Sequence, residues 1–157
     1  MWPPADALEP LRALPRPDEP GVRWVPPSNW HVTLRFFGDA EPADALSSLT
    51  STALPAATAV LGPVVRRLGQ SAVVVPVTGL DALAEAVGAA TAEVGRPSPP
   101  RPFTGHLTLA RLRPGATCDL VGTRVAAEIR IAEVVLVASD LTHDGATYRV
   151  IGTWAAG

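Results

Sequence analysis

The stretch Trp30-His31-Val32-Thr33-Leu34-Arg35 returns later in the chain as Gly105-His106-Leu107-Thr108-Leu109-Ala110. The second histidine follows the first by 75 residues, about half of the 157-residue chain. Both copies alternate polar with apolar residues, which is the period of a half-buried strand. Successive strand side chains point to opposite faces, so His31 and Thr33 share a face and Val32 and Leu34 share the other. His106 and Thr108 are set against Leu107 and Leu109 in the same way. Each segment therefore has an apolar side for a core and a polar side with one imidazole and one hydroxyl. The chain has three histidines, and two of them open His-x-Thr-Leu. From the threonine and leucine content a histidine opens that pattern by chance about once in a hundred. One such motif alone reads equally well as a core histidine beside a good strand former; two do not.

Outward from these strands, over residues 30–37 and 103–112, the rest of the chain divides into short elements. Leu8, Leu11 and Leu14 predict a helix over residues 5–14, bounded by prolines. Residues 22–25 read as a strand that runs into the turn 26–29. A second helix is predicted over 43–54. Residues 60–68 and 71–77 read as paired strands around Gly69-Gln70, with Pro76 marking an edge or a strand end. Leu80, Leu83, Val87 and Val94 predict an amphipathic helix that stops near Gly95. Residues 96–102 hold four prolines and read as a loop. Residues 129–138 and 147–154 read as a hairpin around His143-Asp144-Gly145. Antiparallel pairs mixed with a few helices argue for an α+β fold. The half-chain echo predicts one domain over residues 1–157, built of two similar lobes that each lend a strand to a shared groove.

Bulk composition narrows the classes. A length of 157 residues with 47% apolar content suits a single core. No run approaches the roughly 20 apolar residues of a membrane span, and Met1-Trp2-Pro3-Pro4 lacks the pattern of a signal peptide. The lone Cys118 makes no internal disulfide, so the expected setting is the cytoplasm. A net charge of −2 excludes coating of nucleic acid by bulk charge. All 13 basic residues are arginine, so any cationic side chain that meets a phosphate is an Arg fork or a His.

Two imidazoles and two hydroxyls across a groove suit phosphodiester cleavage. One group must take a proton from water and another must protonate the departing ribose oxygen; an imidazole can do either near neutrality. The hydroxyls can donate to non-bridging phosphoryl oxygens as charge develops. No metal site is expected, because no cluster with metal-ligand spacing is present.

At these residues the sequence resembles the 2H phosphoesterase superfamily, and within it the bacterial and archaeal RNA 2′,3′-cyclic phosphodiesterases once called 2′-5′ RNA ligases. The resemblance rests on residues 23–38, on 103–111, and in support on 136–141 with Gly145 and Tyr148. It implies a bilobal, pseudo-twofold α+β fold with two antiparallel sheets lining a central groove and helices outside. It implies hydrolysis of a terminal 2′,3′-cyclic phosphate to a 2′-phosphomonoester, with 2′-5′ RNA ligase activity in vitro. It assigns His31 as proton donor and His106 as proton acceptor, with Thr33 and Thr108 binding the phosphate. The implied partners are RNA termini bearing 2′,3′-cyclic phosphate, tRNA fragments among them. No cofactor, metal, membrane or protein partner is expected, and a monomer is. Other readings are a hydrolase of small cyclic nucleotides or ADP-ribose cyclic phosphates, and a non-catalytic RNA-end or anion-binding module.

Two departures from the family pattern carry expectations of their own. The strand that usually precedes the first helix is missing, which predicts an unpaired sheet edge. Gly105 stands where a proline usually precedes the second histidine, which predicts a looser seat for His106.

Further candidates carry weaker signals. Arg35 shares strand parity with His31 and is a candidate phosphate ligand. Arg111 has the wrong parity relative to His106 unless a bulge intervenes, yet the family commonly has an arginine there, so it too is a candidate. Trp24, Trp30 and Phe36 could stack a base, though core packing explains them as well. His143, Arg66-Arg67 and Arg113 read as surface residues.

Overall fold

The computed structural model describes residues 1–4, 6–142 and 145–157. In chain order the elements are α1 (Glu9–Arg12, entered through a 3₁₀ turn at Asp6–Leu8), β1 (Val22–Trp24), α2 (Pro42–Thr50), β2 (Ala57–Leu61), β3 (Arg66–Leu68), β4 (Ala72–Thr78), α3 (Asp81–Ala90), β5 (His106–Leu112), β6 (Ala127–Ile131), β7 (Glu133–Thr142) and β8 (Gly145–Ala155). A further 3₁₀ turn, Pro27–Asn29, precedes the first motif. The larger sheet runs β1-β5-β4-β2-β6 with β3 also on β4, and β7 and β8 form a separate two-stranded sheet. All these pairings are antiparallel. The fold is α+β, with a curled antiparallel sheet and few helices.

The core lies where the apolar faces of the motif segments meet. Val32, Val73, Val75, Leu80, Leu83 and Leu107 are completely shielded from water, and removal of such apolar surface from water is the main term holding a fold together. Among the described residues no helix is long and apolar enough to cross a membrane.

Several elements differ from the sequence reading. Residues 30–37 do not form a regular strand. They run past β5 and touch it through one isolated antiparallel bridge, Val32 to Leu107, while Val32 exchanges backbone hydrogen bonds with Met1 at 3.0 and 3.1 Å. The face alternation survives, with Trp30 and Val32 buried and Thr33 exposed. Residues 60–68 split into β2 and β3 around Gly62-Pro63, because proline offers no N–H to a ladder. Pro76 is not at an edge. It lies inside β4 opposite His106, at the point where β3 has ended and β2 begins, and its carbonyl accepts the Gly62 N–H at 2.9 Å. Residues 129–138 belong to two strands, broken at Ala132, whose carbonyl accepts the Ala156 N–H at 2.9 Å. Thr142 pairs with Gly145 at the tip of the β7–β8 hairpin; His143 and Asp144, read as its turn, lie outside the described residues.

Gly105 does not loosen His106. Its carbonyl accepts the Val77 N–H at 2.9 Å, and a Cβ there would collide with the Val77 carbonyl oxygen. The glycine lets β5 approach β4 more closely than any other residue allows.

Arg35 borders the same groove as His31, and its guanidinium is held by partners within the chain. Its Nη2 donates to the carbonyl oxygens of Thr91 at 2.9 Å, Val94 at 3.0 Å and Arg96 at 3.3 Å, and Nη1 donates to the Ser98 hydroxyl. The guanidinium also lies over the Phe37 ring, 5.2 Å from its centroid. The last carbonyls of a helix lack intrahelical partners and sit at its negative end, so a cation suits them. Arg35 thus ties the motif segment to the end of α3.

Two outcomes are expected. Gly105→Ala should force β5 off β4 and destabilise the protein by about 1–3 kcal/mol, read from urea unfolding. Arg35→Ala should leave the Thr91 and Val94 carbonyls short of a donor and lower stability by about 1–3 kcal/mol; an unchanged unfolding midpoint with weaker affinity for inorganic phosphate would instead restore Arg35 as an anion ligand.

Candidate active site

The Val32–Leu107 bridge decides where the polar side chains go. Val32 opposite Leu107 fixes the buried face of both segments, and strand parity turns His31 with Thr33, and His106 with Thr108, to the other side. All four side chains border a groove of about 1170 Å³, walled on the far side by residues 134–139 of β7 and by Tyr148 of β8.

Both imidazoles are held the same way. His31 Nδ1 lies 2.8 Å from the carbonyl oxygen of Asn29, and His106 Nδ1 lies 2.9 Å from that of Thr104. A carbonyl only accepts, so Nδ1 carries the hydrogen in each ring. Nε2 is then the nitrogen that carries no hydrogen in each neutral ring. The hydrogen bonds reach two residues back along each chain, so local backbone alone sets the ring orientation.

The two sites differ in their surroundings. His31 is half-buried, with its ring 5.1 Å from Trp2 and 5.0 Å, edge-on, from Tyr148. Burial pushes its pKa below the ordinary histidine value, the Asn29 hydrogen bond works against that, and the N-terminal ammonium, then Arg111 and His106, add to the lowering. Asn29 also ties this corner to the hairpin, since its Nδ2 donates to the Ala146 carbonyl oxygen at 2.8 Å.

Arg111 reaches the groove because β5 carries a bulge. On β4 the residues Ala72, Val74 and Pro76 alternate regularly and share a face. Their partners are Arg111, Thr108 and His106, with the register shifting by one between Val73 and Val74. Leu109 is the extra residue, and both it and Ala110 are buried. Beyond the bulge the parity is reversed, so Arg111 joins His106 and Thr108 on the groove side.

Of the aromatic candidates, Trp24 and Phe36 border the groove and Trp30 does not. Trp30 is 1% exposed and its indole N–H donates to the Val25 carbonyl oxygen at 3.0 Å. Trp24 packs on the core, with its indole N–H on the Pro17 carbonyl oxygen at 2.9 Å. Phe36 alone of the three is well exposed, at 65%, and it borders the groove. Arg67 donates to the carbonyl oxygens of Gln70 and Ala116. The sequence reading missed Trp2, Asn29 and Arg23. Asn29 acts on His31 through its main chain, which leaves no mark in residue type, and nothing in the local pattern around Trp2 marks it as a neighbour of His31. Among the described residues no three His, Cys, Asp or Glu side chains gather in a way that could hold a metal ion.

Residues 2–59 match the model of the LigT-like phosphoesterase family. Among curated proteins none matches. Solved structures are similar along nearly the whole chain. A phosphoesterase crystal structure is 25% identical with a TM-score of 0.75, covering 99% of this chain and 94% of its own. Escherichia coli LigT complexed with 3′-AMP is 25% identical with a TM-score of 0.73, covering 98% and 92%. The protein TT0787 of Thermus thermophilus, at 23% identity and a TM-score of 0.72 over 96% and 86%, shares the fold. Taken with the paired His-x-Thr segments on one groove, these matches make the chain similar to the LigT-like phosphoesterases, with which it shares the fold along nearly its whole length.

Proposed function

We propose that the chain is an RNA 2′,3′-cyclic phosphodiesterase that opens the terminal cyclic phosphate to a 2′-phosphomonoester by metal-free acid–base catalysis. The observation that carries this reading is the matched tautomer of the two histidines, each with Nδ1–H on a carbonyl oxygen and Nε2 left for the groove. The complex of the related LigT with 3′-AMP supports a nucleotide phosphate as the ligand. In this scheme His106 Nε2 takes a proton from water as the water oxygen bonds to phosphorus. The bond from phosphorus to the ribose 3′-oxygen breaks, and protonated His31 Nε2 gives that oxygen its proton. Thr33 and Thr108 donate to the non-bridging oxygens, and Arg111 opposes the charge that builds there.

His31 must be protonated to act as acid, yet its resting pKa is lowered. An anionic phosphate beside the ring favours the charged form and reverses part of that lowering. Substrate binding and proton uptake are therefore linked.

His31→Ala and His106→Ala should each lower kcat on an RNA ending in 2′,3′-cyclic phosphate by about a hundredfold or more, with the unfolding midpoint nearly unchanged. Turnover should survive EDTA; loss of activity in EDTA would sink the metal-free scheme, and no turnover of this RNA or of a cyclic mononucleotide would sink the enzyme. The kcat/KM profile against pH should be bell-shaped, with its optimum at the mean of two apparent pKa values that belong to the pair. Because the lowered His31 value draws that mean down, the optimum for kcat, measured with the anion bound, should lie at higher pH. Arg111→Gln removes one positive charge that lowers the His31 pKa. It should move the kcat/KM optimum to higher pH and raise the His31 pKa seen by NMR titration, and a shift to lower pH would contradict the scheme.

A further inference from the structure

We propose that Arg23 and Arg111 together form a second anion subsite, which takes the phosphodiester next to the terminal phosphate and so selects an RNA end over a single nucleotide. This deepens the reading above and rests on it for the identity of the ligand. The two arginines are direct partners across the antiparallel β1–β5 pair, so their side chains rise from the same face. Their flanking pairs, Val22 with Leu112 and Trp24 with Ala110, belong to the apolar side. Both arginines are exposed and both border the groove that holds His31 and His106. A Cβ placed on Gly145, at the hairpin tip, would lie 3.5 Å from Arg23 Nη1, so the guanidinium stands at the groove mouth between the two sheets.

Like charges directly opposite on neighbouring strands repel and destabilise a sheet. Elsewhere Arg35 and Arg67 of this chain donate to main-chain carbonyl oxygens. Among the described residues neither Arg23 nor Arg111 forms an ion pair with a carboxylate or donates a hydrogen bond to another residue. Two uncompensated guanidiniums on one face are a cost to folding that a bound anion removes. Their planar forks suit the two non-bridging oxygens of a phosphodiester.

The spacing decides which phosphate. Thr108 and Arg111 pair with Val74 and Ala72, two residues apart on β4, or about 6.6 Å along the strand. That spacing matches a step of about one nucleotide along an extended RNA strand, so Arg111 lies between the terminal phosphate and the next phosphodiester, with Arg23 beside it on the neighbouring strand.

Binding by titration calorimetry of two non-reactive ligands, adenosine 2′-monophosphate and the dinucleotide ApA carrying a 2′-phosphate, tests the subsite. The unmodified protein should bind the dinucleotide about tenfold more tightly, with a salt slope steeper by about 0.7 for the extra phosphate. Arg23→Gln should remove that advantage. It should also unfold at the same or a higher urea concentration, since it relieves repulsion, whereas a purely structural arginine would lower the midpoint. Arg23→Lys, which keeps the charge without the fork, should retain only part of the preference. Equal affinity for the two ligands, or an equal loss on both in Arg23→Gln, would overturn the subsite. A preserved dinucleotide preference with no turnover of the cyclic forms would leave the subsite standing and fail the hydrolase reading.

Discussion

The site depends on one apolar contact. Val32 and Leu107 face each other across a single antiparallel bridge, and neither is accessible to water. A slip of one residue in that register would turn every side chain of one segment to the other face, carrying a histidine and a threonine into the core and an apolar residue into the groove. The loss of apolar burial therefore guards a polar arrangement on the opposite side. Ring orientation is settled separately and locally, by the Asn29 and Thr104 carbonyls. The core thus sets where the imidazoles stand, and the backbone two residues upstream sets which nitrogen they present.

The bulge on β5 is the second constraint. Without Leu109 as an extra residue, Arg111 would point into the core with Leu112 on the groove side, a poor outcome for both. With it, a guanidinium stands near His31 and directly opposite Arg23. Burial, with the positive charges around it adding, lowers the pKa of the His31 imidazole. In the proposed reaction an anion bound beside Arg111 and the protonation of His31 favour one another.

The His-x-Thr faces could be read from the sequence because strand parity and residue type act over four residues. Arg111 could be read only conditionally, since a bulge is a property of the β4–β5 register and not of the β5 sequence. The partners of Arg35 were not legible for the related reason that parity gives a direction and no partner: the carbonyls of Thr91 and Val94 lie nearly 60 residues away. Gly105 shows the limit of arguing from freedom alone. Its flexibility is real, but what selects it here is the Val77 carbonyl on another strand. The failure of residues 30–37 to become a regular strand has the same origin, because ladder hydrogen bonds need a neighbour and the motif finds one only at Val32.

The arginines sort by partner rather than by position. The chain has no lysine and carries a net charge of −2, so nothing global draws an anion to one face. Arg16, Arg35 and Arg67 donate to main-chain carbonyl oxygens and hold loops and helix ends in place. A guanidinium can do that because its several donors diverge in a plane, where an ammonium would serve as a point charge. Arg23 and Arg111 have the same fork and border the groove, but lack such carbonyl partners among the described residues. Where Arg16, Arg35 and Arg67 close hydrogen bonds within the fold, these two stand on the groove with their forks free of such partners among the described residues.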